Sequence, residues 1–148
     1  MRKFILSVLP LMFLFSFQAE GQEYSSAIGL RAGLGANVSY KKFVGREAAF
    51  ELMGGFYFDD FYAGLAFEKH NYFPNNISGL TWYWGAGGAI SIADGGLGVG
   101  ALGAIGLEYA FNDIPLNVSL DWMPHIFIIG GSFKPGGGGL AIRYILDR

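Results

Sequence analysis

The chain has 148 residues, enough for one domain, and it contains no cysteine, which excludes a disulfide scaffold and a lipid anchor on an N-terminal cysteine. Its formal net charge is only −2, from 10 basic and 12 acidic residues, so it has no basic field to attract nucleic acid. Aromatic residues make up 17% of the chain, which argues against disorder despite 24 glycines.

The first 21 residues have the organisation of a secretory signal peptide. Arg2 and Lys3 provide the positive start, and an apolar stretch of 14 residues follows over 4–17, interrupted by two serines and one proline. This stretch is shorter than the roughly 20 apolar residues that a membrane-spanning helix needs. We therefore predict a signal peptide at 1–21, with cleavage after Ala19 or Gly21, and a single domain over 22–148.

After the signal peptide, apolar residues alternate with glycine or polar residues in short segments. Between 97 and 111 the odd-numbered residues are apolar apart from one glycine, whereas the even-numbered ones are mostly glycine and alanine and include Glu108. Because successive side chains of a strand point to opposite faces, each such segment would have one apolar face. The alternation and the turn residues predict eight strands, near 24–33, 35–43, 47–58, 61–73, 80–93, 96–111, 115–129 and 138–146.

The first two segments could also form one long strand, because the alternation continues through Gly33 and Gly35. Parity favours a turn between them, since single-chain bacterial barrels have an even number of strands. The fold class that we predict is therefore all-β: an up-and-down, antiparallel, eight-stranded transmembrane β-barrel. The connections at 43–47, 74–79 and 112–114 would face the periplasm, and those near 33–35, 59–60, 94–95 and 130–137 would face outward, the last as a flexible loop.

The two faces of the predicted strands differ in charge. The apolar face has almost none, as expected for a surface in contact with lipid. The other face carries charges that are costly to enclose unless they are paired, so we expect a structural network inside the barrel, with Arg31 and Arg143 on the neighbouring strands that close it. An interior of eight strands is just wide enough for side chains to fill. The predicted network consists of Arg31, Lys41, Glu51, Glu68, His70, Glu108, Asp121 and Arg143.

Four segments carry most of this pattern: IGLRAGLGANVSYKKF from Ile28, GLTWYWGAGG from Gly79, GLEYAFNDIPLNVSLDW from Gly106 and GGLAIRYIL from Gly138. With the signal peptide, they resemble the small eight-stranded outer-membrane barrels of Gram-negative bacteria, and more narrowly the uncharacterised porin-like barrels common in the Bacteroidetes. The resemblance implies a location in the outer membrane, contact with its lipid and lipopolysaccharide, and insertion by the barrel-assembly machinery. We also expect a monomer. Members of this group usually end in an aromatic residue, whereas this chain ends in Asp-Arg.

The sequence predicts no catalytic, cofactor-binding or metal site. Two distant histidines without cysteine do not make a credible metal set. His125 follows Asp121 by four residues, but no serine has the spacing that would place it beside His125 on one face of the same strand, so a lipid-modifying enzyme is the least favoured alternative. The glycines from Gly96 onward continue a strand pattern and do not precede a helix, unlike a phosphate-binding loop.

Three functional hypotheses follow. The first is a non-enzymatic outer-membrane barrel with a charged, largely plugged interior and a structural or interaction role in the cell envelope. The second is binding or passage of a small molecule, because inward-facing glycines such as Gly64 and Gly87 would leave an apolar pocket unless Tyr57, Tyr62 and Tyr83 fill it. The third is the lipid-modifying enzyme. A soluble lipocalin-like barrel is disfavoured because its apolar outer face would promote aggregation in water.

Overall fold

The structure is a computed structural model, and it describes residues 24–33, 35–57, 59–73, 77–94 and 96–148. The predicted signal peptide at 1–21 lies outside this part of the chain. Among the described residues, no helix is long and apolar enough to cross a membrane. The strands are β1 Ser26–Gly33, β2 Gly35–Phe43, β3 Ala48–Tyr57, β4 Asp60–Tyr72, β5 Leu80–Ala93, β6 Gly96–Ala110, β7 Leu116–Trp122, β8 His125–Ile129, β9 Ser132–Lys134 and β10 Gly138–Asp147.

The strands form one closed antiparallel sheet. Each strand from β1 to β6 pairs with the next one along the chain, and β10 pairs with both β7 and β1, which closes the barrel. Strands β7 and β8 lie one after the other along β6 and make up the seventh barrel strand, while β9 and β10 make up the eighth. The predicted fold, an all-β, eight-stranded, up-and-down antiparallel barrel, is confirmed.

The seventh and eighth barrel strands differ from the prediction in detail. We expected one continuous strand near 115–129, but it is interrupted at Met123 and Pro124, because proline has no backbone N–H for the ladder. The prediction of a flexible loop at 130–137 was wrong in part, because residues 132–134 form β9 and pair with β8. Gly130 and Gly131 make the turn between these strands with φ of 90° and 59°, values that glycine adopts without strain.

Backbone groups at the interruption have partners elsewhere. The N–H of Met123 donates to the carbonyl of Gly137 at 2.9 Å, and the N–H of Gly103 donates to the carbonyl of Pro124 at 3.0 Å. The indole Nε1 of Trp122 donates to the carbonyl of Pro135 at 2.5 Å. These bonds tie together the two interrupted strands and β6, so the barrel wall stays hydrogen-bonded where the ladder is broken.

The alternation separates an apolar outer surface from a layered interior. None of the predicted apolar-face side chains that the structure describes is buried. Both chain ends of the described part lie at one end of the barrel, where the Ser25 N–H donates to the Asp147 carbonyl at 2.7 Å; we call it the termini end, and the opposite one the far end. Each end of the interior holds an apolar cluster. The termini-end cluster comprises Tyr24, Ala27, Phe43, Ala49, Ala110 and Ile145, and the far-end cluster Met53, Tyr62, Ala66, Ala89, Leu102, Ala104, Met123 and Phe127.

Gly138, the first residue of β10, provides a test of this backbone arrangement. Its φ is +110°, and a Cβ added there would lie 2.8 Å from the Cα of Trp122. We expect Gly138→Ala to lower the free energy of unfolding by about 2 kcal/mol through backbone strain. Gly96→Ala is the matched control, because a Cβ at Gly96 meets nothing within 4 Å. Urea titration followed by tryptophan fluorescence measures both, and equal midpoints would contradict the prediction.

Candidate functional site

A charged layer lies inside the barrel between the two apolar clusters. The inward-facing residues of β3 show the order: Ala49 belongs to the termini-end cluster, Glu51 to the charged layer and Met53 to the far-end cluster. The structure places all eight predicted network residues in this interior. Seven are at most 6% exposed, and the side chain of the eighth, Asp121, is 0% exposed.

Arg143 on β10 has partners on several other strands of the layer. Its guanidinium forms a short ion pair with Glu51. Its Nε donates to Ser39 Oγ at 2.8 Å, and Ser39 Oγ in turn donates to Glu51 Oε1 at 2.6 Å. Its Nη1 lies 3.1 Å from Ser119 Oγ and 3.3 Å from Asn117 Oδ1. Arg143 therefore joins β10 to β2, β3 and β7 through bonds in which nearly all of its donors are used.

Lys41 on β2 lies among three carboxylates. Its Nζ is 2.7 Å from Glu68 Oε2, 3.0 Å from Glu108 Oε2 and 3.8 Å from Glu51 Oε2. The same ammonium group lies 4.4 Å from the ring centroid of Tyr83, in cation–π contact. One ammonium group thus lies among carboxyl groups from β3, β4 and β6, and it holds these three acids in one cluster.

Arg31 on β1 connects the charged layer to the far-end cluster. Its Nη1 lies 3.1 Å from Glu51 Oε1, and its Nη2 lies 2.6 Å from Asp121 Oδ1 and 3.5 Å from the sulfur of Met123. The Tyr83 hydroxyl donates a hydrogen bond to the other oxygen of Asp121, at 2.5 Å. Both oxygens of Asp121 are therefore engaged within the network.

His70 lies at the termini-end side of the layer and is fully buried. Its Nε2 is 3.2 Å from Glu68 Oε2, and its Nδ1 is 3.2 Å from Thr81 Oγ1. The ring stacks on Tyr83 with centroids 4.9 Å apart and packs against Phe43 at 4.8 Å. These contacts hold the imidazole in place between the charged layer and the termini-end cluster.

His125 lies outside the charged layer, in the far half of the interior. Its Nε2 is hydrogen-bonded to the Tyr62 hydroxyl at 2.7 Å, and its ring stacks on Phe127. Asp121, the acid four residues earlier in the chain, is engaged by Arg31 and Tyr83. The geometry thus joins His125 to an aromatic cluster.

Sequence reasoning missed the uncharged members of the network. Their hydroxyl and amide groups bind the charged side chains. All except Tyr24, which precedes β1, occupy inward-facing positions of their strands, and this alternation was the available signal. They are Tyr24, Ser39, Thr81, Tyr83, Asn117 and Ser119.

Tyrosine rings occupy the space beside two inward-facing glycines. A Cβ on Gly64 would lie 2.9 Å from Cζ of Tyr62, and one on Gly106 would lie 2.9 Å from Cζ of Tyr83. Next to Tyr62, the interior retains a crevice of about 20 Å³, bordered by Arg31 and His125, which is room for about one water molecule. The tyrosines therefore take up much of the room that these glycines leave.

A wider vestibule of about 280 Å³ opens at the far end. Ser91, Phe127 and Lys134 are among the residues that line it, and Lys134 Nζ lies 3.5 Å from Asp60 Oδ2 across it. Among the residues described, no group of three or more His, Asp or Glu side chains is arranged to hold a metal ion. The vestibule is thus much roomier than the crevice beside Tyr62.

Comparisons of the chain with models of protein families, with curated proteins and with solved structures found no match. The features of the molecule that bear on its function are therefore those of the barrel itself: its closed sheet, its apolar outer surface and its charged interior.

The charged layer predicts a large stability difference between two arginines. Arg143→Ala would leave Glu51 buried without its closest cation, so we expect a loss of about 4 kcal/mol in the free energy of unfolding. Arg46→Ala is the control, because Arg46 is exposed in the connection between β2 and β3, and we expect a change within about 0.5 kcal/mol. Urea titration in detergent measures both variants. A loss below about 1 kcal/mol for Arg143→Ala would contradict the structural role of the layer.

Proposed function

We propose that the chain is an integral outer-membrane β-barrel with a non-enzymatic, structural or interaction role in the cell envelope. The observation that carries the proposal is the reversed distribution of polarity. Among the residues that the structure describes, 29 large hydrophobic side chains are exposed, whereas Arg143, Lys41 and Glu51 are 0% exposed inside. Soluble monomers rarely expose contiguous apolar patches larger than a few hundred Å². A surface of this kind suits contact with hydrocarbon.

Strand length and closure support the same proposal. A tilted strand needs about 9–11 residues to cross a bilayer, and β2, β3 and β10 have 9, 10 and 10 residues. A closed sheet also satisfies the backbone hydrogen bonds that hydrocarbon cannot. We assign the termini end to the periplasm, because a chain delivered by a signal peptide would insert from that side. The partners proposed are outer-membrane lipid, lipopolysaccharide and the barrel-assembly machinery, with the barrel as a monomer.

The filled interior supports a role other than catalysis or free passage. All eight barrel strands contribute polar or charged side chains to the layer, and Tyr24, Phe43 and Ile145 pack beneath it at the termini end. A second candidate function, binding of a small molecule, is favoured by the far-end vestibule, where Asp60, Lys134 and Ser91 offer polar groups beside Phe127. A small molecule retained by the purified barrel would favour this second candidate.

The proposal predicts the behaviour of the protein in cell fractionation. We expect the chain in the outer-membrane fraction, retained after an alkaline wash, because the apolar surface would be in contact with lipid. On gel electrophoresis, a closed barrel that resists detergent should migrate differently before and after boiling. Recovery in the soluble periplasmic fraction without such a shift would contradict the proposal. The exposed apolar side chains of the outer surface would then need a different explanation.

A single substitution tests whether the outer surface faces hydrocarbon or water. Ile142 lies in the middle of β10 and is 51% exposed. In a bilayer, Ile142→Lys should lower the free energy of unfolding by about 3 kcal/mol, because a lysine near the midplane is costly. Leu146→Lys, near the strand end, is the matched control and should cost at most about 1 kcal/mol. Unfolding of both variants from lipid vesicles measures the difference; costs within about 0.5 kcal/mol of each other would indicate a surface in water.

A further inference from the structure

The permanent charges of the buried layer do not balance. Among the described residues of the layer there are three permanent cations and four carboxyl groups, all nearly inaccessible to solvent. An uncompensated negative charge in this interior would be costly, so one proton or one further cation is required. The cations are Arg31, Lys41 and Arg143, and the acids are Glu51, Glu68, Glu108 and Asp121.

Two of the four acids have donors on both oxygens. Glu108 accepts a hydrogen bond from Tyr24 at 2.6 Å on Oε1 and one from Lys41 at 3.0 Å on Oε2. Asp121 accepts from Arg31 at 2.6 Å on one oxygen and from Tyr83 at 2.5 Å on the other. Both groups are therefore well stabilised as ionised carboxylates.

The other two acids each have one buried oxygen without a donor, Oε2 of Glu51 and Oε1 of Glu68. They are diagonal neighbours on the inner face, because Glu51 pairs with Ala66 and Glu68 with Ala49. The two carboxyl groups also meet at one ammonium group, since Lys41 Nζ lies 3.8 Å from Glu51 Oε2 and 2.7 Å from Glu68 Oε2. Two ionised carboxylates have only acceptors, so a hydrogen bond between them requires a proton.

We propose that Glu51 and Glu68 form a buried proton-binding site in which one proton is shared between the two oxygens that lack a donor. Glu68 carries the proton and donates it to Glu51, whose other oxygen already accepts from Arg31, Ser39 and Arg143. The shared proton satisfies both oxygens that lack a donor. It also brings the layer to three positive and three negative charges.

His70 does not have to act as the missing cation. With its single proton on Nε2, a neutral imidazole donates to Glu68 Oε2 and accepts from the Thr81 hydroxyl on Nδ1, both at 3.2 Å. Both nitrogens are then satisfied, whereas a proton on His70 would leave the two carboxyl oxygens without a donor. The other titratable and charged groups around the pair are Tyr24, Arg31 from β1, Lys41 from β2, Tyr83 from β5, Glu108 from β6, Asp121 from β7 and Arg143 from β10.

A bound proton couples stability to pH with a defined sign. A glutamate of the unfolded chain ionises near pH 4.3, so above about pH 5 the folded barrel holds one more proton at this site than the unfolded chain does. Stability therefore falls as pH rises, and this site lowers the ratio of folded to unfolded protein about tenfold per pH unit until the folded pair releases its proton.

The test measures unfolding of the chain refolded in detergent between about pH 6 and about pH 9. In Glu68→Gln, the amide group takes the place of the shared proton as hydrogen-bond donor, so we expect the barrel to fold. The fall in the ratio of folded to unfolded protein with rising pH should then be smaller than in the wild type, by a factor of about ten per pH unit. Ser119→Ala is the matched control: it removes a neutral hydrogen-bond partner of Arg143 but keeps the three cations and four carboxyl groups, so it should be less stable but retain the wild-type pH dependence. Infrared spectroscopy of the wild type at about pH 7 should show the band of a protonated carboxyl group, and Glu68→Gln should lose it.

The same measurements can overturn the proposal. Equal pH dependence in the wild type and Glu68→Gln would do so, and so would failure of Glu68→Gln to fold. If His70→Gln loses the dependence while Glu68→Gln retains it, the proton belongs to His70 and the carboxyl site is wrong. A wild type without the infrared band also overturns the proposal, and this measurement depends on no variant. All of these outcomes are independent of whether the barrel resides in an outer membrane.

Discussion

The cost of burying charge is the constraint on which the rest of this barrel depends. Arg143, Lys41 and Glu51 are inaccessible to solvent, and each is stabilised only because groups from other strands meet it in one layer. A shift of one residue in any strand would turn its inward side chains to the outer surface. The ion pair between Arg143 on β10 and Glu51 on β3 therefore joins two strands that are distant in sequence and do not pair in the sheet, and it fixes their relative register across the interior of the barrel.

The layers on either side of the charges follow from the same constraint. Ion pairs are strongest where water is excluded, and apolar side chains cover the charged layer at both ends of the interior. Tyrosine suits the boundary between the layers, since its ring packs with apolar neighbours while its hydroxyl binds a charge. Tyr24 does this for Glu108 at the termini end, and Tyr83 does it for Asp121 toward the far end. Glycine beside Tyr83, at Gly106, leaves room for its ring.

The alternation in the sequence predicted the strands and their faces, because side-chain direction has a period of two and needs no knowledge of neighbours. It could not predict which acid meets which base, since that depends on the relative shift of paired strands. The ion pairs of Lys41 with Glu68 and of Arg31 with Asp121 are two contacts that could not be predicted in this way. The interruption at Pro124 and the short strand β9 were also missed in part, because their backbone groups are satisfied by non-local partners such as Gly137.

A charged interior also specifies this fold in a way that an apolar interior could not. If both faces of every strand were apolar, a one-residue slip would exchange similar side chains, and in a lipid environment the two registers would differ little in free energy. With Glu51 and Arg143 on the inner face, and the barrel in the outer membrane as we propose, the same slip would expose charges to the hydrocarbon at a cost of several kcal/mol for each strand. Polar residues inside and apolar residues outside therefore make the correct register the stable one. The structural role of the charged layer follows from this difference in free energy between the two registers. It does not depend on whether a molecule binds at the far end.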